Sequence, residues 1–282
     1  MRTWIIFISI SLLLNAGNTL QKAKTAYQSG HYLKAKNILK KAANRGNIDA
    51  QIELGYMYQN GQGIEKAYDK ALYWFHKAAK QKDARAEYYL AVMYEKGWGV
   101  EQNMTRALEQ YRKSAALNNI DAQYHLGKIY YRGTGVLQDY GTSIKWYTLA
   151  AEQGDAQAQF NLGYMYENAQ GTKQDYTKTI QWYEKAASNN QVDAQYNLGT
   201  LYYRGKGIDV AYEKALYWYG EAAKNGDDKA QYNIGVMYIK GQGVKKNKIT
   251  AFAYWMESAR QSNSDAQNSL DMLCKESPWA CR

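Results

Sequence analysis

Residues 50–82 read AQIELGYMYQNGQGIEKAYDKALYWFHKAAKQK, and the fold follows from their pattern. Ala50, Leu54, Met57 and Tyr58 fall on one stripe at helical spacing, which predicts an amphipathic helix. Gly61 and Gly63 stop it, because glycine tolerates the left-handed backbone found at helix ends. Ile64 then drops back towards the core. A second helix carries Ala71, Leu72, Trp74, Phe75, Ala78 and Ala79 on one face. The stretch is a helical hairpin.

The hairpin recurs every 36 residues without slipping. Leu54, Leu90, Leu126, Leu162, Leu198, Ile234 and Leu270 keep that step, as do Ala50, Ala86, Ala122, Ala158, Ala194 and Ala230. Tyr58 recurs through Tyr94 to Tyr238, and Gly63 through Gly99 to Gly243. Gly55 is matched by Ala91, Gly127, Gly163, Gly199 and Gly235, small residues that let two helices approach closely. Strict repetition at this period predicts an all-α, right-handed α-solenoid, each helix-turn-helix unit burying its apolar face on the next. Asn103, Asp139, Asp175 and Asn247 are predicted to cap second helices, whereas Ala67 and Ala211 cannot. The near-constant Gln51, Glu87, Gln123, Gln159, Gln195 and Gln231 suit hydrogen bonds between repeats, since buried amides need partners.

The expected organisation is a signal peptide over 1–16, a capping helical pair over 17–49, six repeats over 50–263, and a C-terminal capping helix with a disulfide tail over 264–282. Met1-Arg2, an apolar run from Ile5 to Leu14 and the small Ala16 carry the signal-peptide reading. The run is too short for a membrane span, which needs about 20 apolar residues. Cys274 and Cys281 are the two cysteines, and in an exported chain an even pair favours a disulfide. Export and paired thiols together predict the periplasm. The formal charge is +10, with Lys22, Lys24, Lys34, Lys36, Lys40, Lys41 and Arg45 preceding Asp49, and Lys240, Lys245, Lys246 and Lys248 near the other end. A solvated capping face explains these charges, and an acidic surface or anionic lipid headgroups are the alternative partners.

No catalytic, metal or cofactor site is expected. His31, His76 and His125 have no ligand or nucleophile partner at useful spacing, and the Gly-x-Gly loops recur in every unit as helix stops. Nucleic acid is not an expected partner: basic charge and aromatics coexist here, but export and the lack of a known nucleic-acid module argue against it. Binding a protein is left, and the first helix shows where. Positions opposite its buried stripe carry Ile52, Tyr88, Tyr124, Phe160, Tyr196 and Tyr232. Two placements are open for this column, along a groove or packed between repeats. Tyr56, Lys128 and Tyr164 lie in a second column, Tyr131 and Tyr203 in a third beside Gln59, Glu95 and Glu167, and both are expected to face the groove. Arg132 and Arg204 flank them, and Trp98 in the loop is a further candidate contact. Tyrosine and arginine dominate interface hot spots.

Ala122 to Ala151 carries Leu126, Gly127, Tyr130, Gly133, Gly135, Val136, Asp139, Trp146, Tyr147, Ala150 and Ala151. This block resembles the Sel-one-like repeat, a relative of the tetratricopeptide repeat, and the resemblance covers nearly the whole chain after the signal segment. It implies an α-solenoid adaptor, with the first-helix face lining a concave groove. It further implies a non-catalytic protein that captures, and inhibits or modulates, a secreted toxin (as an immunity protein) or a cell-envelope enzyme. The alternatives it implies are an enzyme acting on β-lactam or peptidoglycan-like substrates, and a host-contacting virulence factor. The β-lactam-linked relatives carry a disulfide in each unit, and this chain does not.

Overall fold

The computed structural model describes residues 16–277, which form fifteen α-helices and, among the described residues, no strand. The first pair is α1 (Ala16–Gln28) and α2 (Tyr32–Asn44). Six hairpins follow: α3 (Ile48–Asn60) with α4 (Tyr68–Ala79), α5 (Ala84–Lys96) with α6 (Met104–Ala116), α7 (Ile120–Arg132) with α8 (Tyr140–Glu152), α9 (Ala156–Glu167) with α10 (Tyr176–Ser188), α11 (Val192–Arg204) with α12 (Tyr212–Lys224), and α13 (Asp228–Lys240) with α14 (Lys248–Arg260). A lone α15 (Ser264–Glu276) ends the described chain. The fold is an all-α solenoid of 36-residue units. It divides into two compact units, one up to Leu126 and one from Gly127. Residues 1–15 of the signal peptide expected over 1–16 lie outside the described residues, as does Cys281 and with it the expected disulfide; Ala16 opens α1 and Cys274 sits on α15.

Within each hairpin one large ring on the second helix fills the core. Phe75 and Tyr111 do so in the first unit, and Tyr147, Tyr183, Tyr219 and Trp255 in the second, all buried. The ring lies directly on the small residue of the first helix. A β-carbon added at Gly127 would sit 2.5 Å from Tyr147, and one at Gly55 2.6 Å from Phe75. Close packing at interior density leaves no room for that atom. The leucine column from Leu54 to Ile234 packs beside the rings and is fully buried.

The loop glycines have two different jobs. Gly61, Gly97, Gly133, Gly205 and Gly241 take positive φ at the helix end, and Ala169 adopts the same conformation at φ 55°. Gly63, Gly99, Gly171, Gly207 and Gly243 are also left-handed, but they additionally press on the aromatic residue that opens the preceding second helix. A β-carbon at Gly99 would lie 2.6 Å from Tyr68.

Capping follows the sequence reading on the second helices. Asn103, Asp139, Asp175 and Asn247 each accept a backbone N–H, while Ala67 and Ala211 make no side-chain cap. The first helices of five hairpins are capped as well, by Asn47, Asp83, Asn119, Asp155 and Asp227, and Asn263 caps α15, whereas Gln191 makes no side-chain cap on α11. The glutamine column ties neighbouring helices, as its spacing predicts. Gln195 Nε2 donates to the Ala187 carbonyl at 3.1 Å, and its Oε1 accepts from Asn225 at 3.1 Å. Gln51 and Gln159 make the same two bonds.

Candidate partner-binding face

The column that begins at Ile52 resolves into packing on the neighbouring core ring. Ile52 is buried, 1% exposed. In the first unit Tyr88 is half-buried, its ring 5.9 Å from Tyr111, and Tyr124 is half-buried with its edge against His125. In the second unit Phe160 stacks on Tyr183 at 5.6 Å, Tyr196 tilts on Tyr219 at 5.7 Å, and Tyr232 stacks on Trp255 at 6.5 Å. Each of these rings is half-buried. These contacts lie within single hairpins, a third arrangement beside the two left open by the sequence.

The second column is the more open one. Tyr164 is 40% exposed. Tyr56 and Lys128 are half-buried, and Arg132 and Arg204 at the helix ends are exposed. The second unit thus presents Phe160, Tyr164, Tyr196 and Tyr232 on its first helices, with exposed Arg132, Arg204 and Lys240 at their C-terminal ends.

The third column needs correction. Tyr131 and Tyr203 were expected to face a groove, but their hydroxyls donate to Gln170 at 3.1 Å and Gln242 at 2.9 Å in the loop of the following repeat. Glu95 and Glu167 instead accept from the core phenols of Tyr111 at 2.7 Å and Tyr183 at 3.0 Å. Glu167 also takes Lys206 Nζ at 3.2 Å. A position that varies between Tyr and Glu is thus structural at every one of these sites, because each choice has a matching partner elsewhere. Trp98 is likewise no free loop contact: it stacks on Tyr68 at 5.7 Å and 8° and is half-buried against an apolar cluster of the first unit.

Sequence reasoning missed two further arrangements. His125 accepts or donates a hydrogen bond with the Tyr88 hydroxyl at 3.1 Å and stacks on Tyr111, so it belongs to a polar-aromatic cluster with Glu95. Burial opposes ionisation of Glu95, but the bonds from Lys96 and Tyr111 hold its carboxyl below the usual range. Burial pushes the Tyr111 and Tyr88 phenols well up. The second arrangement is a cation over the Tyr58 column: Lys70 lies 5.5 Å from the Tyr58 ring, Lys178 5.0 Å from Tyr166 and Lys214 5.1 Å from Tyr202. That spacing of twelve residues was present in the sequence.

Among the described residues no group of His, Cys, Asp and Glu could hold a metal ion, and no helix is long and apolar enough to cross a membrane. Six consecutive matches to the Sel1 repeat model cover 48–83, 84–119, 120–155, 156–191, 192–227 and 228–263. The chain belongs to the Sel1 repeat family. Sel1 repeats form scaffolds suited to binding other proteins. The structure is similar to a protective antigen of uropathogenic Escherichia coli with an SLR fold, at TM-score 0.85 and 30% identity, covering 93% of this chain and 57% of that one. A Sel1 repeat protein from Oxalobacter formigenes matches at TM-score 0.72 and 34% identity, over 86% of this chain and 100% of that one. No curated protein matches. The sequence's resemblance and the family assignment agree.

Proposed function

We propose that this Sel1 repeat protein is a non-catalytic module, exported to the periplasm, that captures a protein partner on the first-helix face and inhibits or modulates it. A secreted effector or a cell-envelope enzyme fits this location. The observation that carries the reading is Tyr164 with its surroundings. Tyr164 is exposed on α9, the neighbouring first helices carry half-buried aromatics, and exposed Arg132 and Arg204 end the first helices α7 and α11 of the repeats on either side. Residues of this kind supply large contact area at low entropic cost together with polar handles, and they concentrate binding energy. The N-terminal Arg2, the apolar Ile5–Leu14 run and Ala16 support export, and the cysteine pair suits an oxidising compartment.

The test is capture from a periplasmic extract by the purified protein, with Tyr164→Ala, Arg132→Ala and Arg204→Ala combined as the comparison. The expected result is one or a few bands lost from the variant while its helical circular dichroism is unchanged. Equal capture by both proteins overturns the assignment of this face.

A further inference from the structure

The helical pair that opens the first unit differs from every hairpin after it in charge. Residues 16–48 carry seven Lys or Arg and no Asp or Glu. Among the second helices, α2 has no acid, whereas α4, α6, α8, α10, α12 and α14 each have at least one. Basic residues on the later helices are answered within a turn: Lys113 pairs with Glu109 at 2.8 Å, Lys224 with Glu221 at 2.6 Å and Arg260 with Glu257 at 2.6 Å. Lys34, Lys40, Lys41 and Arg45 are exposed and have no ion pair among the described residues. They share one side of the helix. At about 100° per residue, Leu33, Lys34, Lys40 and Lys41 fall within about a third of the circumference, and the buried Ala35, Leu39 and Ala43 take the other side. With Arg45 at the helix end the stripe is about 18 Å long. Helix electrostatics do not account for it: Lys41 suits the last turn, but Lys34 in the first turn opposes the dipole.

A face that merely met water would mix signs, as the later second helices do. A face of one sign is complementary to an extended surface of the other, and two features select a lipid surface over an acidic protein. Three of its four cations are lysines, whose compact hydrated charge attracts without fixed geometry, and protein interfaces are depleted in lysine. Leu33, at the head of the stripe, is 64% exposed beside Tyr32 at 37%. Apolar side chains among basic ones suit the boundary between headgroups and acyl chains. We infer that α2 lays this face on an anionic phospholipid surface, its lysines and Arg45 meeting headgroup phosphates while Leu33 enters the boundary beneath them. The contact uses a second helix and none of the first-helix residues assigned to capture, so it would bring a captured partner to a membrane without competing for it.

The test is cosedimentation of the full chain with vesicles of phosphatidylcholine alone and of equal parts phosphatidylcholine and phosphatidylglycerol. The apolar Ile5–Leu14 run is common to every arm, so the comparison isolates charge. Binding to the anionic vesicles is expected to exceed binding to the neutral ones at least about tenfold, since each basic residue near an anionic leaflet contributes about fivefold. Lys34→Gln, Lys40→Gln, Lys41→Gln and Arg45→Gln combined remove that excess with helical circular dichroism unchanged, Lys40→Arg with Lys41→Arg keeps it, and Leu33→Asn reduces it in part. Raising the salt from about 0.05 M to about 0.5 M also removes the excess in the parent, a result that depends on no variant. Equal binding to both vesicles, or an excess that survives the four substitutions or the salt, overturns the inference. Tighter binding to soluble poly-glutamate than to anionic vesicles of equal charge concentration does so too, in favour of an acidic protein.

Discussion

Gly199 and Tyr219 are in contact so close that a β-carbon on the glycine would stand 2.5 Å from the ring. The same pair, twenty residues apart, recurs at Gly55–Phe75 and Gly127–Tyr147, and Trp255 takes the ring's place opposite Gly235. Ala91 opposite Tyr111 is the one departure, and there a methyl is housed with both residues buried. The hairpin's two helices are therefore set together at a distance that a methyl tests and a larger group exceeds.

Gly199→Val should destabilise the second unit by at least about 2 kcal/mol, because overpacking forces a backbone shift or an off-rotamer ring. Denaturant unfolding followed by circular dichroism measures it. An unmoved midpoint would show that the ring can swing aside.

Ala169 offers the opposite opportunity. It holds φ 55° where the other repeats place glycine, and a left-handed L-residue costs about 1–2 kcal/mol. Ala169→Gly should raise the melting temperature, by a gain of about 1 kcal/mol after glycine's larger unfolded-state entropy is counted. A fall in melting temperature contradicts the strain argument.

Phe160 and Tyr164 separate packing from binding. Phe160 stacks on the buried Tyr183, whereas Tyr164 is exposed. Phe160→Ala is expected to lower stability by about 1–3 kcal/mol, less than a fully buried phenylalanine would lose. Tyr164→Ala should stay within about 0.5 kcal/mol of the parent. Thermal melts of the two variants decide this, and equal losses would mean that Tyr164 is packed as Phe160 is.

Acid should act on the first unit through Glu95. Burial opposes its ionisation, but the Lys96 and Tyr111 hydrogen bonds lower its folded pKa, so it binds a proton less readily when folded than unfolded. Its stabilising contribution is therefore complete above the ordinary value of 4.5 and is lost as pH falls below that towards the depressed folded value. Glu95→Gln removes the contribution at neutral pH, so parent and variant stabilities should converge between neutral pH and pH of about 3. A constant difference across that range rejects the linkage.

How much of this was legible depended on whether a residue's partner shared its column. Leu54 and its successors, the loop glycines and the second-helix caps repeat at one step, and physics assigns each a role on its own. Tyr131, Glu167 and Tyr203 do not work that way. Their partners, Gln170, Lys206 and Gln242, sit thirty-nine residues on, so a single column read alone looks merely variable. The first-helix caps at Asp83, Asn119 and Asp155 were readable, three residues before the alanine column. The rings from Tyr88 to Tyr232 could not be placed from pattern, because a half-buried aromatic satisfies both a core and a surface periodicity.

The glutamine ties reach back eight residues and forward thirty, so every such link closes inside the span of one hairpin and its immediate neighbour. Excising one complete block of thirty-six, or splicing in another, would therefore rejoin each amide to an equivalent carbonyl. Length in such a molecule can change by whole modules, and the extent of surface offered to a partner becomes a heritable variable that selection can adjust without redesigning the interior.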